Sequence, residues 1–481
     1  MKRSIFARTS LLWPLLVAGL VASWFVVTAP EPIAKDSAQY DAIAHSILRG
    51  QYALDGVPTM LREPGYPLFR AAMYAIGLTP TGILWVQVAL LVGAIWLAAS
   101  AVRRIDRHLC LPTAWLSAVA YGYLVYGSSH YSEAVAAFLV SLVGYLGVRA
   151  CEIATAPHDE GSTVQEICSD SASARRAERW WFMLFGFACG VLALTRVAYE
   201  FLGLFIAVIM IVFARSLYWR RRIIIGLTIV VSSAAVMLPW AIRNEYQFGS
   251  FALTQRAGVT LYARALKAEA SWKTLGASYV SALFGQATIA RLDPTAHPIV
   301  RMEHWTEVWN TYARLQQSGL DDSHADAQMT HLAVQSITSN PVQFIRYCVW
   351  TPIEVWRLLA LPSPLSPTFR IEAMFIERAT AGPLSIPVIG LLILAHLMEW
   401  LWVGGTLLGL VFAIRRYGVL FMPGLLLGYT ILIHMPVDVI ERYAVPVTPW
   451  RMVCLVIVLI SLRRVFGHAP PPHAKVVPAE V

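Results

Sequence analysis

The strongest constraint on this chain is a series of apolar runs, each close to the roughly 20 residues that carry a helix across a bilayer. About ten can be read, over roughly residues 11–29, 80–102, 109–126, 131–150, 180–196, 198–214, 223–240, 386–414, 418–436 and 445–462. Composition agrees, because 481 residues with 57% hydrophobic and 14% charged side chains cannot furnish the surface of a soluble globule. The expected fold class is an all-α polytopic membrane protein. It should have about ten transmembrane helices, amphipathic surface helices in a first outer loop, and a larger, mainly helical outer region.

The formal charge of +9 would suggest nucleic acid in a soluble chain, but here the basic residues cluster between the apolar runs, where they set orientation. No nucleic-acid partner is needed to explain them. With Lys2, Arg3 and Arg8 on the cytoplasmic side, every inner connection is basic: Arg103/Arg104/Arg107, Arg149 with Arg175/Arg176/Arg179, Arg215 with Arg220/Arg221/Arg222, Arg415/Arg416 and Arg463/Arg464. Both termini are therefore expected in the cytoplasm. The first run follows a short basic stretch, yet it is too long for a signal peptide and "VVTAPEP" is a poor cleavage site, so it reads as a retained anchor.

This topology divides the chain into a membrane module over 1–240 with seven spans, an outer region over 241–385, a second module over 386–462 with three spans, and a proline-rich, disordered cytoplasmic tail over 463–481. The Ser-, Ala- and charge-rich stretch between the fourth and fifth runs is expected to be a flexible inner linker. Of the cysteines only Cys348 falls outside, so no external disulfide can form. The apolar stretch "NPVQFIRYCVWTPIEVWRLLA" is interrupted by Arg346, Glu354 and Arg357, and a span there would invert all later basic loops. It reads as an interfacial helix.

Chemistry is expected on the outer side, above all in the first loop, residues 30–79. In "KDSAQYDAIAHSILRG" Tyr40, Ile43, Ala44, Ile47 and Leu48 recur at helical spacing, while Asp41, His45 and Arg49 lie off that stripe. Asp36 with Gln39 forms a capping-box pattern, so Asp36 is at least a helix cap, and a cap at a membrane surface can also reach a substrate. Farther on, Pro64, Gly65 and Pro67 form a constrained elbow that carries Arg62, Glu63 and Tyr66.

"DSAQYDAIAHSILRG" and "REPGYPLF", followed in order by "YSEAVAAFLV", "ALTRVAYEFLGL", "PWAIRNEYQFGSF" and "ERYAVPVTP", resemble the type C superfamily of integral-membrane glycosyltransferases. The branch is the one holding protein O-mannosyltransferases and the lipid A aminoarabinose transferase. The resemblance covers most of residues 10–260 and roughly 430–450; residues 260–385 match nothing in it. It implies an enzyme that takes a sugar from a polyprenyl phosphate and passes it to an acceptor at the outer membrane face, in a bacterial inner membrane, usually with inversion.

By the same resemblance Asp36 is the candidate base, and Glu63 assists it, orients the acceptor or holds a metal. Tyr40, Arg62, Tyr66 and Glu133 would position donor or acceptor. Ser132-Glu133 can equally begin a helix. Arginine suits the donor phosphate because a guanidinium binds phosphate oxygens bidentately and keeps its charge. Arg196, Arg243 and Arg442, with Tyr443, are the candidates, although Val197 stands where the family usually has proline. Snorkelling to headgroups is the bland alternative for each.

His396 and Glu399 fall at the outer edge of an over-long eighth run and border the expected donor groove, where interhelical hydrogen bonding accounts for them equally. His297, His304, His324 and His331 show no metal-ligand spacing. No cofactor is indicated by the residues, and a divalent cation stays open. The expected partners are a polyprenyl-phosphate sugar donor, membrane lipids and a glycan, lipid or protein acceptor. A transporter or flippase, or a non-catalytic polyprenyl-lipid-binding protein, is the competing class. Transporters tend to carry internal repeats and spans broken at the midplane, whereas here no repeat is evident and the charges gather outside the membrane.

Overall fold

The computed structural model describes residues 2–28, 30, 32–34, 36–155, 164–284, 304–360 and 386–466. His297 and the tail beyond 466 lie outside them. The helices are α1 (Lys2–Thr28), α2 (Asp36–Leu48), α3 (Gly65–Ala75), α4 (Pro80–Ile105), α5 (Arg107–Ala118), α6 (Tyr121–Leu124), α7 (Glu133–Ala154), α8 (Val164–Thr195), α9 (Leu202–Phe213) and α10 (Trp219–Phe248). They continue with α11 (Ala257–Glu269), α12 (Trp272–Phe284), α13 (His304–Gln317), α14 (Asp322–Thr338), α15 (Pro341–Leu359), α16 (Ile386–Tyr417), α17 (Met422–His434) and α18 (Thr448–Phe466).

Each of the ten apolar runs is largely helical, but they are not ten equal spans. Seven helices among the described residues are long and apolar enough to cross a membrane. Arg107–Ala118 and Tyr121–Ser128 are apolar enough only as a pair and meet at 70°, so they form either a broken eighth span or a re-entrant loop. Val197–Phe213 and Met422–His434 are shorter apolar helices. The inner linker also differs from expectation: from Val164 onward it is the first half of α8, a 32-residue helix. Its Glu, Ala and Arg content favours helix once neighbours support it.

The helix ends away from the first loop are tied by ion pairs: Arg104 and Arg149 to Glu152, Arg221 to Glu178, and Arg416 to Asp106, at 2.8–3.1 Å. At the other ends the first loop is clamped down. A two-residue hairpin, Ala53–Leu54 with Val57–Pro58, turns on Asp55 and Gly56, both at positive φ. This Asp-Gly turn was legible as a hairpin signal, and it adds a small sheet to the all-α expectation. Helix α2 buries Tyr40, Ile43 and Ala44 as its apolar stripe predicts, but it also buries Ser37 and Ser46 and leaves Leu48 exposed, because its partner is α3. Arg70 of α3 straps it by binding Asp41 and the Tyr74 hydroxyl.

The elbow is fixed by close packing. Gly65 begins α3 hard against the end of α8, where an added Cβ would sit 2.5 Å from Thr195 Oγ1 and 2.8 Å from the Leu194 carbonyl oxygen. Gly65→Ala should therefore cost about 1–3 kcal/mol through overpacking, seen as a lower Tm of the purified protein. An unchanged Tm would mean that the elbow yields freely.

The outer region from Ala257 is mainly helical where described. Helices α11, α13 and α14 share a core of Val259, Ala263, Val308, Tyr312, Ala325 and Met329, into which Leu61 of the first loop inserts. The predicted interfacial helix is α15. It buries Trp350, Ile353, Glu354 and Arg357 against the protein and exposes Val342, Phe344 and Ile345.

Candidate active site

Three chain segments far apart in sequence bring their charges together at the helix ends that the first loop covers. Asp36 opens α2, Arg62 lies three residues before α3, and Arg442 stands in the short 3-10 turn Glu441–Val447 that leads into α18. Asp36 Oδ1 accepts from Arg62 Nη2 at 2.5 Å, and Asp36 Oδ2 accepts from Arg442 Nη2 at 2.6 Å. The expected capping box is not what Gln39 makes. Its Oε1 instead accepts from Arg62 Nε at 2.7 Å, so Gln39 orients the guanidinium. Tyr40 lies under Arg62, with 4.9 Å between guanidinium and ring centroid, and is itself packed edge-on against Tyr66.

Glu133, the first residue of α7, is almost fully buried and extends the cluster. Its Oε1 accepts from Arg196 Nη1 at 3.0 Å and lies 3.7 Å from Arg442 Nε. Tyr443 sits beneath Arg196, and Tyr131 beneath Arg442. Glu63 Oε1 accepts the Val197 backbone N–H at 3.2 Å, which ties the elbow to the residue after Arg196. Tyr66 is fully buried and donates to Gln87 Oε1 at 2.8 Å, a supporting place behind the charges.

Arg243 stands apart from this group. It donates to the carbonyls of Thr59 and Tyr52 and to Asn244 Oδ1, and its guanidinium lies over Trp240 and Tyr52. This use braces the hairpin of the first loop. Glu399 accepts from Trp356 Nε1 at 3.1 Å, joining α16 to α15. The side chain of His396 lies outside the described residues.

One contributor carries no sequence signal. Arg256, just before α11, acts electrostatically on both Asp36 and Tyr40. Burial by itself would raise the Asp36 carboxyl, but Arg62, Arg442 and Arg256 outweigh it and hold Asp36 well below the usual carboxylate range. The group therefore sets four guanidinium groups, Arg62, Arg196, Arg256 and Arg442, against three carboxylates, Asp36, Glu63 and Glu133. Arg256 also acts on Asp326 of α14, and with that carboxylate counted the group is formally balanced. Arg62 Nη1, Arg442 Nε and Arg256 Nε are buried without a hydrogen-bond acceptor, an arrangement suited to one further anion. No group of three or more His, Cys, Asp or Glu side chains that could hold a metal ion occurs among the described residues. No step is derived through a metal.

No protein-family model matches the chain, and no curated protein matches it. Solved structures do. The archaeal oligosaccharyltransferase AglB from Archaeoglobus fulgidus, in complex with an inhibitory peptide and a dolichol-phosphate, matches at 13% identity and a TM-score of 0.48, over 96% of this chain and 52% of its own. The present chain thus spans about half the length of that protein. ArnT from Cupriavidus metallidurans matches at 14% identity in two states, each over 77% of its own chain. The apo state covers 94% of this chain with a TM-score of 0.40, and the state bound to undecaprenyl phosphate covers 91% with 0.39.

Proposed function

We propose that the chain is a glycosyltransferase that takes a sugar from a polyprenyl-phosphate donor and passes it to an acceptor hydroxyl or phosphate at the outer face of the membrane, with inversion at the anomeric carbon. The observation that carries this reading is a single carboxylate, Asp36, held between Arg62 and Arg442, two guanidinium groups that each keep a buried N–H without an acceptor. A donor phosphodiester brings one negative charge. Its leaving group gains a second when the bond from the anomeric carbon to phosphate oxygen breaks.

Arg442 and Arg62 meet both needs: they bind the diester and stabilise the charge that develops on the departing polyprenyl phosphate. As they engage phosphate they loosen their hold on Asp36, which then accepts the proton of an acceptor hydroxyl while that oxygen bonds to the anomeric carbon. Glu133 and Arg196 fix Arg442 from behind. Glu63 fixes the elbow that carries Arg62.

The pH dependence follows with a definite sign. A carboxyl depressed in the folded state adds stability above its unfolded pKa, about 3.9, and loses it only as pH falls through the lower folded value. Asp36 in the free enzyme should stay ionised throughout the range of about pH 5 to 8. The profile of kcat/KM, which reports the free enzyme, should then show no acid limb that depends on Asp36. Such a limb near pH 5 to 6 would contradict the charge arrangement.

The function itself is tested by incubating purified protein in lipid nanodiscs with a panel of radiolabelled polyprenyl-phosphate sugars and membrane extracts. Label transferred from one donor, and from none in the Asp36→Asn variant, supports the reading. Folded protein that labels nothing from a complete panel favours the lipid-binding or transport class instead.

A further inference from the structure

Six ionisable side chains that no step above uses are buried together outside the Asp36 cluster. They are Arg264 and Lys267 on α11, His304 at the start of α13, Glu354 and Arg357 on α15, and Asp438 between α17 and the 3-10 turn of Arg442. Lys267 is bound by both carboxylates: Glu354 Oε1 is 3.1 Å from its Nζ, and Asp438 Oδ1 also accepts from it. Asp438 Oδ2 pairs with His304 Nε2 at 2.6 Å. Arg264 and Arg357 each approach Glu354 Oε1 at 3.6 Å. Taking this many charges out of water is expensive, and apolar packing would serve stability as well or better. Their arrangement therefore points to something they hold.

What they hold is backbone. Glu354 Oε2 accepts the Val439 N–H at 2.9 Å, the Tyr347 hydroxyl donates to the Pro436 carbonyl, and the Asp438 N–H faces the Thr260 carbonyl at 3.5 Å. Val439 packs with Leu358 and Ala444. Every holder but Ala444 belongs to α11, α13 or α15, helices of the outer region. Every residue held lies within a few positions of Arg442, whose guanidinium must meet Asp36 at 2.6 Å and Glu133 at 3.7 Å.

We propose that Asp438 and Glu354 are positioning residues for Arg442: they hang the stem of that arginine from the helices of the outer region. The outer region thereby sets the distance between Arg442 and Asp36, so a movement of α11 or α15 is felt at the donor phosphate. The effect on transfer rests on the role given to Arg442 above; the placement of the stem does not.

The test uses the full-length protein in nanodiscs, with undecaprenyl phosphate as the probe, and reads hydrogen exchange together with binding. Two variants are compared with wild type. Asp438→Asn removes the charge, and Lys267→Met with Asp438→Leu removes the pair together, which protects the fold if the single change leaves Lys267 unpaired. Both should speed exchange of amides over residues 435–447. Both should weaken undecaprenyl phosphate binding on the order of 10- to 100-fold, the scale of a small misplacement. In an Arg442→Ala background Asp438→Asn should add nothing to the loss of binding.

Unchanged exchange over 435–447 in the folded variants overturns the proposal, as does a full additional loss of binding in the Arg442→Ala background. If the wild-type protein does not bind undecaprenyl phosphate, the donor reading falls by itself. The exchange comparison, with Glu354→Gln as a third variant that weakens the bond to the Val439 N–H, then still decides whether Asp438 and Glu354 hold the stem.

Discussion

Asp36→Asn should lower sugar transfer by about 10²–10⁴-fold, the usual worth of a positioned general base, while the protein remains folded. The amide keeps the size of the carboxylate and can still accept a hydrogen bond from one arginine, but it takes no proton. Removing the charge also leaves Arg62 and Arg442 facing each other without the group that separates them, so donor binding should tighten or hold rather than fall. Initial rates at saturating donor, with thermal melts of the same preparation, measure both effects. Transfer within a few-fold of wild type would remove Asp36 as the base. If the acceptor is already an ionised phosphate no proton need be taken, so comparing hydroxyl and phosphate acceptors separates these cases.

Arg442→Ala should reduce kcat/KM by about 10²–10³-fold, the loss expected when one donor to a developing oxyanion is removed. Unlike Asp36→Asn it should raise donor KM as well as lower kcat, because the guanidinium meets the phosphate in both ground and transition states. Lysine should restore only part of the loss, since one ammonium cannot address Asp36 and Glu133 with the planar fork that spans them. Arg243→Ala is the control: its guanidinium is spent on Thr59, Tyr52 and Asn244, and donor KM should move less than about tenfold. Equal effects of the two alanine changes on donor KM would mean that the clustered arginines have no special claim to the phosphate.

These two arginines also show where sequence reasoning stops. Arg243 and Arg442 are the same residue type, each just beyond an apolar run and each in a short motif of the same family. Nothing in spacing or composition says which way a guanidinium turns. Tertiary packing decides it: the hairpin carbonyls take Arg243, and the 3-10 turn before α18 aims Arg442 at Asp36. Asp36, Glu63 and Glu133 were named through the resemblance of their motifs, because a carboxylate at a helix start is ordinary capping chemistry and marks no site by itself. Arg256 was not, since it falls in none of the quoted motifs and acts through space.

The fold was legible to the same depth. Apolar length located the membrane helices, because lipid leaves a spanning backbone few alternatives. It could not foresee the 70° break after Ala118 or the shorter length of Val197–Phe213. Those depend on how neighbouring helices pack. The first half of α8 was hidden for a different reason: Ser, Ala and charge read together as a linker, although Ala, Glu and Arg also supply helix propensity.

The partnership of Asp36 with Arg442 joins residues 406 positions apart, and this has a bearing on how the protein is made. At ribosomal rates of about 5–20 residues per second, roughly 20–80 s separate the synthesis of the two. During that interval Asp36 has Arg62 and then Arg256 near it but lacks Arg442, the second guanidinium that binds its carboxylate directly. On the function proposed above, a message cut short before Arg442 should yield a product in which one of the two direct partners of Asp36 is missing and sugar transfer is lost.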